Sequence, residues 1–92
     1  MICIEVTLSG TADSVYNLIE SSLPDYLQGL SDIRMDCIIQ NPVGNDDLYL
    51  GDVTTQKGFI VNGNSMDINQ LNLLTTYIDG TSSESIIILL KD

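Results

Sequence analysis

Turn-forming residues separate short apolar runs along most of the chain, and this pattern constrains the fold more than any other feature of the sequence. In several of these runs apolar and polar side chains alternate, as they do in strands that bury one face. Turns that recur roughly every ten residues are typical of a small antiparallel β-sandwich or barrel. Beyond residue 32 we predict five strands, at 33–40, 47–51, 59–61, 71–78 and 85–91.

The N-terminal third predicts one further strand and a helix. Residues 2–8 alternate with period two, which indicates a strand. Apolar residues then recur at helical spacing from Ala12 to Leu23, with Thr11 as the expected N-cap, and Pro24 disfavours helical geometry just before it. We therefore expect a single domain over residues 1–92, mainly β (α+β), with one N-terminal helix.

The charge balance excludes several classes of function. The chain carries 3 Lys plus Arg against 13 Asp plus Glu, a formal net charge of −10, and it has no histidine. Three cations cannot neutralise many phosphates, so we expect no direct binding to nucleic acid. Without histidine, the common acid–base and metal-ligand chemistry of that side chain is absent. A hydrophobic fraction of 43% is too high for a disordered chain despite the charge.

No motif in the chain points to catalysis or to a cofactor. Serine and threonine hydroxyls are plentiful, but without histidine there is little to activate them as nucleophiles. The oxygen-rich segments 45–47 and 67–69 lack the spacing of a calcium-binding EF-hand, and Asx-rich turns usually bond their own backbone. We therefore expect no enzyme, no catalytic residue, no cofactor and no metal site.

The two cysteines, Cys3 and Cys37, are expected to be free thiols. In the first strand Cys3 lies on the face opposite to the apolar one, whereas Cys37 is in phase with the apolar residues of its own strand. If both strands turn their apolar side to one core, the two sulfur atoms point in different directions. Cys37 then fills part of the core.

Targeting and membrane-spanning segments are not evident. The first ten residues lack a basic region and include Glu5, so they do not form a signal peptide. The longest apolar run, Ile86–Leu90, has five residues, whereas a transmembrane helix needs about 20. We expect a soluble protein that has no membrane partner and is not secreted by a signal peptide.

The last strand is apolar on both faces. If Ile86, Ile88 and Leu90 fill the core, Ile87 and Leu89 lie on the other face. A strand that is apolar on both sides is usually covered on both sides, here either by the helix or by another subunit. The candidate interface residues are therefore Ile87 and Leu89, with Tyr49 and Phe59 as further aromatic contacts.

The order of the segments resembles that of small virion-associated β proteins of tailed bacteriophages. These proteins have an N-terminal strand and helix, a strand with a tyrosine–x–glycine–asparagine/aspartate pattern, a glycine-rich hairpin and an apolar last strand. The segments that carry the resemblance are Val6–Ala12, Ile38–Pro42, Leu48–Asp52, Lys57–Ile60, Gly63–Met66, Leu73–Gly80 and Ile86–Leu89. The chain departs from the pattern at its end, where residues 90–92 replace the usual tryptophan or tyrosine.

The resemblance implies a structural role in a virion that is assembled in the host cytoplasm. It implies a capsid decoration (cement) protein or a head–tail protein, present as a homo-oligomer in contact with the major capsid protein or other virion proteins. The competing hypothesis is a small, acidic, soluble regulator or inhibitor that binds a host or phage protein. One form of this hypothesis is a mimic of nucleic acid. A mimic should concentrate its acidic residues, whereas here they are scattered along the chain.

Overall fold

Residues 1–91 are described by the computed structural model, and they form two four-stranded antiparallel sheets around a shared hydrophobic core. The strands in chain order are β1 (Ile2–Thr7), β2 (Asp13–Ser14), β3 (Arg34–Asn41), β4 (Leu48–Gly51), β5 (Gly58–Ile60), β6 (Asn64–Asn72), β7 (Tyr77–Asp79) and β8 (Ser85–Lys91). The first sheet has the order β1-β8-β3-β6, and the second has the order β2-β7-β4-β5. The mainly β fold is confirmed, and of the two expected architectures the sandwich is the one that forms.

The core lies between the inner faces of the two sheets. In the first sheet, Ile88 on β8 stands opposite Ile4 on β1 and Ile39 on β3, so three neighbouring strands contribute one row of isoleucines. Leu48, Leu50 and Ile78 contribute from the second sheet. Burial of these alternating side chains is the main favourable contribution to folding, and it confirms the inward phase expected for β8 and β4.

The N-terminal helix is shorter than expected. It covers α1 (Val15–Ile19), and one-turn 3-10 helices follow at Glu20–Ser22 and Asp25–Leu27. The N-cap is Ser14, whose hydroxyl accepts the Asn17 N–H, and not Thr11. The reason is tertiary: Asp13 and Ser14 pair with β7, so the backbone is extended until Val15. The α-helix itself ends at Ile19, and the 3-10 turn that follows stops before Pro24 as expected, since Leu23 is extended.

One predicted strand is wrong and one strand is missing from the sequence analysis. The strand expected at 71–78 is interrupted by a turn at 73–75, where the Asn72 side-chain oxygen accepts the Leu74 N–H at 3.0 Å. This turn carries the chain from β6 in the first sheet to β7 in the second. Residues 64–70 of the nine-residue strand β6 were not expected, because Met66 and Ile68 alternate with Asn and Asp residues typical of turns and the alternation breaks at Gln70, which has a positive φ.

The two cysteines lie as the alternation predicts. Cys37 is fully buried in the core, Cys3 is exposed on β1, and both are free thiols. Burial, together with the nearby negative charges of Asp67 and Asp36, raises the pKa of the Cys37 thiol to about 11. No helix within residues 1–91 has the length and apolar content needed to cross a lipid bilayer.

Candidate functional site

The four predicted interface residues lie on two opposite faces of the sandwich. Ile87 and Leu89 alternate with the buried residues of β8, so they point outward from the first sheet. Tyr49 lies between the buried residues of β4, and Phe59 stands opposite it on β5, so both point outward from the second sheet. The four residues therefore form two separate candidate surfaces and not one.

The first surface, which we call the aliphatic face, consists of Ile38, Ile87, Leu89 and Cys3. Leu89 stands between Cys3 on β1 and Ile38 on β3. The three aliphatic side chains are half-buried, yet they belong neither to the core nor to the side chains packed against it. The sequence analysis missed Ile38, although the alternation around Cys37 could have placed it on this face.

The helix does not cover the aliphatic face. Val15 and Ile19, the buried residues of α1, are fully buried within the core that the two sheets share. The helix therefore packs on the inner side of the sheets, and the expectation that it shields Ile87 and Leu89 is wrong. The other expectation, that a neighbouring subunit contacts these residues, stays a prediction.

Charged side chains surround the aliphatic face. The Lys91 ammonium lies 2.9 Å from both carboxylate oxygens of Asp67. Asp36 accepts the backbone N–H of Gln70 at 2.8 Å, where β3 and β6 shift register. Glu5 stands opposite Ile87. An apolar centre with a polar rim is the usual anatomy of a protein–protein interface.

The second surface, which we call the aromatic face, consists of Tyr49, Phe59 and Asp79. The strand register places Tyr49 directly opposite Phe59 on one side and Asp79 on the other. The Tyr49 side chain is 42% exposed and the Phe59 side chain 55% exposed. Their ring centroids are 6.4 Å apart with the planes tilted by 51°, within the range of favourable aromatic pairs.

An open, polar cavity of about 640 Å³ lies beside Tyr49. Its walls include the carboxylates of Asp46, Asp47 and Asp79, and none of the described residues that line it is basic. Asp46 accepts a hydrogen bond from the Thr81 hydroxyl at 2.7 Å. Within residues 1–91, the side chains of Asp47 and Asp79 make no hydrogen bond and no ion pair.

Two asparagines hold the loop that carries these acidic residues. The buried Asn41 donates from its side-chain amide to the carbonyl oxygens of Asp46 and Ile60, at 3.0 and 2.8 Å. Asn45 donates to the Asn41 side chain at 3.1 Å and to the Ser85 carbonyl at 2.8 Å. The network joins both sheets, so the loop between β3 and β4 is fixed by tertiary hydrogen bonds. From the sequence alone, Asn41 and Asn45 are predicted only to be part of a turn.

The oxygen-rich segments considered for calcium have other partners. Asn45 and Asp46 bond to neighbouring loops and strands, and Asp67 pairs with Lys91. Among residues 1–91, no group of three or more His, Cys, Asp or Glu side chains is arranged to hold a metal ion.

Comparison with known proteins was made at three levels. No family model, no curated protein and no solved structure matches the chain. The functional argument therefore depends on the chemistry of the two faces.

Proposed function

We propose that the chain is a structural component of a bacteriophage virion, either a capsid decoration (cement) protein or a head–tail protein. In this proposal the aliphatic face binds neighbouring virion subunits, which include further copies of the chain and the major capsid protein. The observation that supports it is the outward row of aliphatic side chains on two central strands, which no part of the core covers.

The energetics suit a protein that acts in many copies. Burial of apolar surface is worth about 25 cal/mol per Å², and Ile38, Ile87 and Leu89 are already half-buried, so a single contact gains little. In an ordered array, many weak contacts act together because each bound neighbour raises the effective concentration of the next. A decoration protein that bridges capsid subunits stabilises the assembled state in this way.

The net charge of −10 fits this mode of action. Like charges keep free copies apart and limit uncontrolled association in solution. The edge strands offer a further route to contacts between copies. Among residues 1–91, β1 pairs only with β8 and β6 only with β3 in the first sheet, so each has one unpaired edge of the kind that invites pairing.

The first experiment is fractionation of the virus particles. We expect the chain to co-purify with intact particles through a density gradient, at a constant ratio to the major capsid protein, as judged by mass spectrometry. Absence of the chain from purified particles overturns the virion role.

The second experiment tests the aliphatic face with two opposite charges. Ile87→Asp removes the apolar contact and should abolish incorporation into particles, but it places a carboxylate opposite Glu5. Ile87→Lys removes the same contact and places a cation opposite Glu5, so we expect it to keep the fold. Val53→Asp is the matched control, because it adds the same charge at an exposed loop position. If both Ile87 variants incorporate normally, the aliphatic face is not the contact.

The rival hypothesis is an acidic regulator that binds a host or phage protein. The three carboxylates around one cavity favour it as a second candidate. Binding of an acidic decoy should collapse between low and high ionic strength, because exposed charges are screened beyond about 8 Å at physiological salt. Contacts through the aliphatic face should persist under the same conditions.

A further inference from the structure

The aromatic face differs from the aliphatic face in the kind of partner that it fits. We propose that the aromatic face and the cavity beside it bind a basic peptide segment of a partner protein. One arginine or lysine side chain of that segment lies over the Tyr49 ring, and its charge is met by Asp79 and Asp47. This inference goes beyond the proposed function, and it does not depend on the chain being part of a virion.

The exposed ring supplies the first half of the site. Tyr49 lies on β4, a central strand of the second sheet, and the Phe59 ring on β5 is tilted against its ring, while 42% of Tyr49 stays exposed and available to a ligand. A guanidinium or ammonium group within about 6 Å of an aromatic ring is attracted by the negative charge of the ring face.

The carboxylates supply the second half. Asp79 stands directly opposite Tyr49 across the β4–β7 pair, and Asp47 lines the same cavity. Within residues 1–91 neither carboxylate has a partner, although both side chains are half-buried. Half-buried carboxylates bind cations more strongly than fully exposed ones, because the surrounding protein lowers the local dielectric constant.

The charge of the remaining chain indicates that the cation comes from a partner. The Arg34 Nε atom lies 3.4 Å from a carboxylate oxygen of Asp32, and the Lys91 ammonium pairs with Asp67. Both cations therefore have acidic partners away from the cavity. The third cation, Lys57, does not line the cavity. The charge complementarity of this surface is therefore to a basic segment and not to a second copy of a chain with net charge −10.

Strand pairing and tertiary hydrogen bonds hold the residues of the site in place before any ligand binds. Tyr49 and Asp79 lie on paired strands, and the Asn41–Asn45 network fixes the loop that carries Asp46 and Asp47. A preorganised site loses little conformational entropy on binding. Because the two faces lie on opposite sides of the sandwich, a copy bound through its aliphatic face still presents the aromatic face outward.

The test uses an acetylated and amidated peptide, Gly-Arg-Gly-Arg-Gly, titrated into the isotope-labelled full chain and followed by two-dimensional NMR. A peptide with citrulline in place of both arginines is the matched control, because it keeps the shape of the side chain and removes the charge. We expect shifts centred on Tyr49, Phe59 and Asp79 with the arginine peptide, weakening as salt is added, and none with the citrulline peptide.

Variants distinguish this site from general attraction to an acidic surface. Tyr49→Ala should weaken binding roughly two- to fivefold, the effect of one exposed cation–π contact, and Tyr49→Phe, which keeps the ring, should bind as the parent does. Asp79→Asn should weaken binding up to roughly fivefold. Tyr26→Ala, at an exposed aromatic outside this face, is the control and should change nothing. The spectrum of each variant reports its fold.

Three outcomes overturn the proposal. The first is a set of shifts spread evenly over all acidic residues, and the second is equal binding by the parent and Tyr49→Ala. The third is a response at Tyr49 to a neutral hexose in place of the arginine peptide, which would assign the aromatic ring and carboxylates to saccharide binding. None of these results bears on the aliphatic face, since the Ile87 variants test that surface separately.

Discussion

The outer faces of the two sheets are built by the same alternation of side chains, yet they differ in chemistry and in the solvent exposure of their side chains. The aliphatic face is centred on β8 and β3, which have strands on both sides, so its side chains are half-buried by their neighbours. The aromatic face reaches the edge strand β5, and its two rings are about half exposed. The central strands of the first sheet thus form a mainly aliphatic surface, whereas the central strands β7 and β4 of the second sheet, with the edge strand β5, bring aromatic rings and a carboxylate together.

The difference has consequences for binding. An aliphatic surface gains free energy in proportion to the area that it buries, with little selectivity for the partner. A ring flanked by carboxylates selects for charge, and its binding depends on salt. A protein with both surfaces on opposite sides can contact two chemically different partners at once.

Thiol labelling tests which face of the first sheet is exposed to solvent. Cys3 lies on the aliphatic face and is exposed, whereas Cys37 lies on the inner face with its pKa raised to about 11 by burial. We expect one thiol per native chain to react promptly at neutral pH. Cys37 should react at least about a thousandfold more slowly, since only rare unfolded molecules expose it.

The labelling result also sharpens the comparison between the faces. If the aliphatic face is the contact in particles, Cys3 should be protected in assembled material and reactive in the free chain. Rapid reaction of both cysteines in the native chain would contradict the buried position of Cys37. Labelling of the denatured chain, in which both cysteines must react, calibrates the number of thiols counted per native chain.

Truncation of neighbouring residues on β8 separates core from surface. Ile88→Ala should lower the free energy of unfolding by about 2–5 kcal/mol, because the side chain is fully buried in the core. Ile87→Ala should cost about 1 kcal/mol or less, mainly through loss of β-propensity. Chemical denaturation of both variants measures the difference. Equal losses would mean that the aliphatic face is packed as a second core.

Glycine substitutions in the β4–β5 hairpin test the support of the aromatic face. At Gly51 an added Cβ would lie 2.0 Å from the Thr55 carbonyl oxygen, so Gly51→Ala forces the loop to move and should cost about 1–3 kcal/mol. At Gly58 the closest atom is 3.4 Å away, which makes Gly58→Ala the matched control with a small effect. NMR shifts of the Gly51 variant should appear at Tyr49 and not at Ile87.

The smallest expected effect is the pH dependence of the same hairpin. Hydrogen bonds from the backbone N–H groups of Thr55 and Thr54, and from the Thr54 hydroxyl, hold the pKa of Asp52 below its usual range. A lowered folded-state pKa means that the contribution is present above pH of about 4 and is lost as the pH falls through the folded-state value.

Asp52→Asn tests this contribution directly. We expect the parent to lose slightly more stability than the variant between neutral pH and pH of about 3, as measured by thermal unfolding. Because Asp52 is fully exposed, the effect should be small and local to the hairpin. Asp25→Asn, at another exposed carboxylate, is the control. Identical pH profiles for the parent and Asp52→Asn would show that the turn does not depend on the carboxylate.

Local alternation explains which elements were predicted correctly. β8 has the predicted bounds, and Ile86, Ile88 and Leu90 are buried in it. Both features could be predicted because they depend only on which neighbouring residues of the strand are apolar. Most of β6 was missed because its apolar alternation is short and breaks at Gln70, and the turn after Asn72 was missed because it depends on one side-chain hydrogen bond. The helix is short because pairing of residues 13–14 with β7 replaces its expected first turn.

The sequence by itself determined the β class, the inward phase of the strands, the free thiols and the four candidate contact residues. It did so because these features depend on composition and on period-two alternation. Only the tertiary structure decided that Ile87 and Leu89 lie on one side of the sandwich and Tyr49 and Phe59 on the other. It also brought Asp79 beside Tyr49. The physical reason is that strand order joins residues distant along the chain, and no local pattern encodes that order.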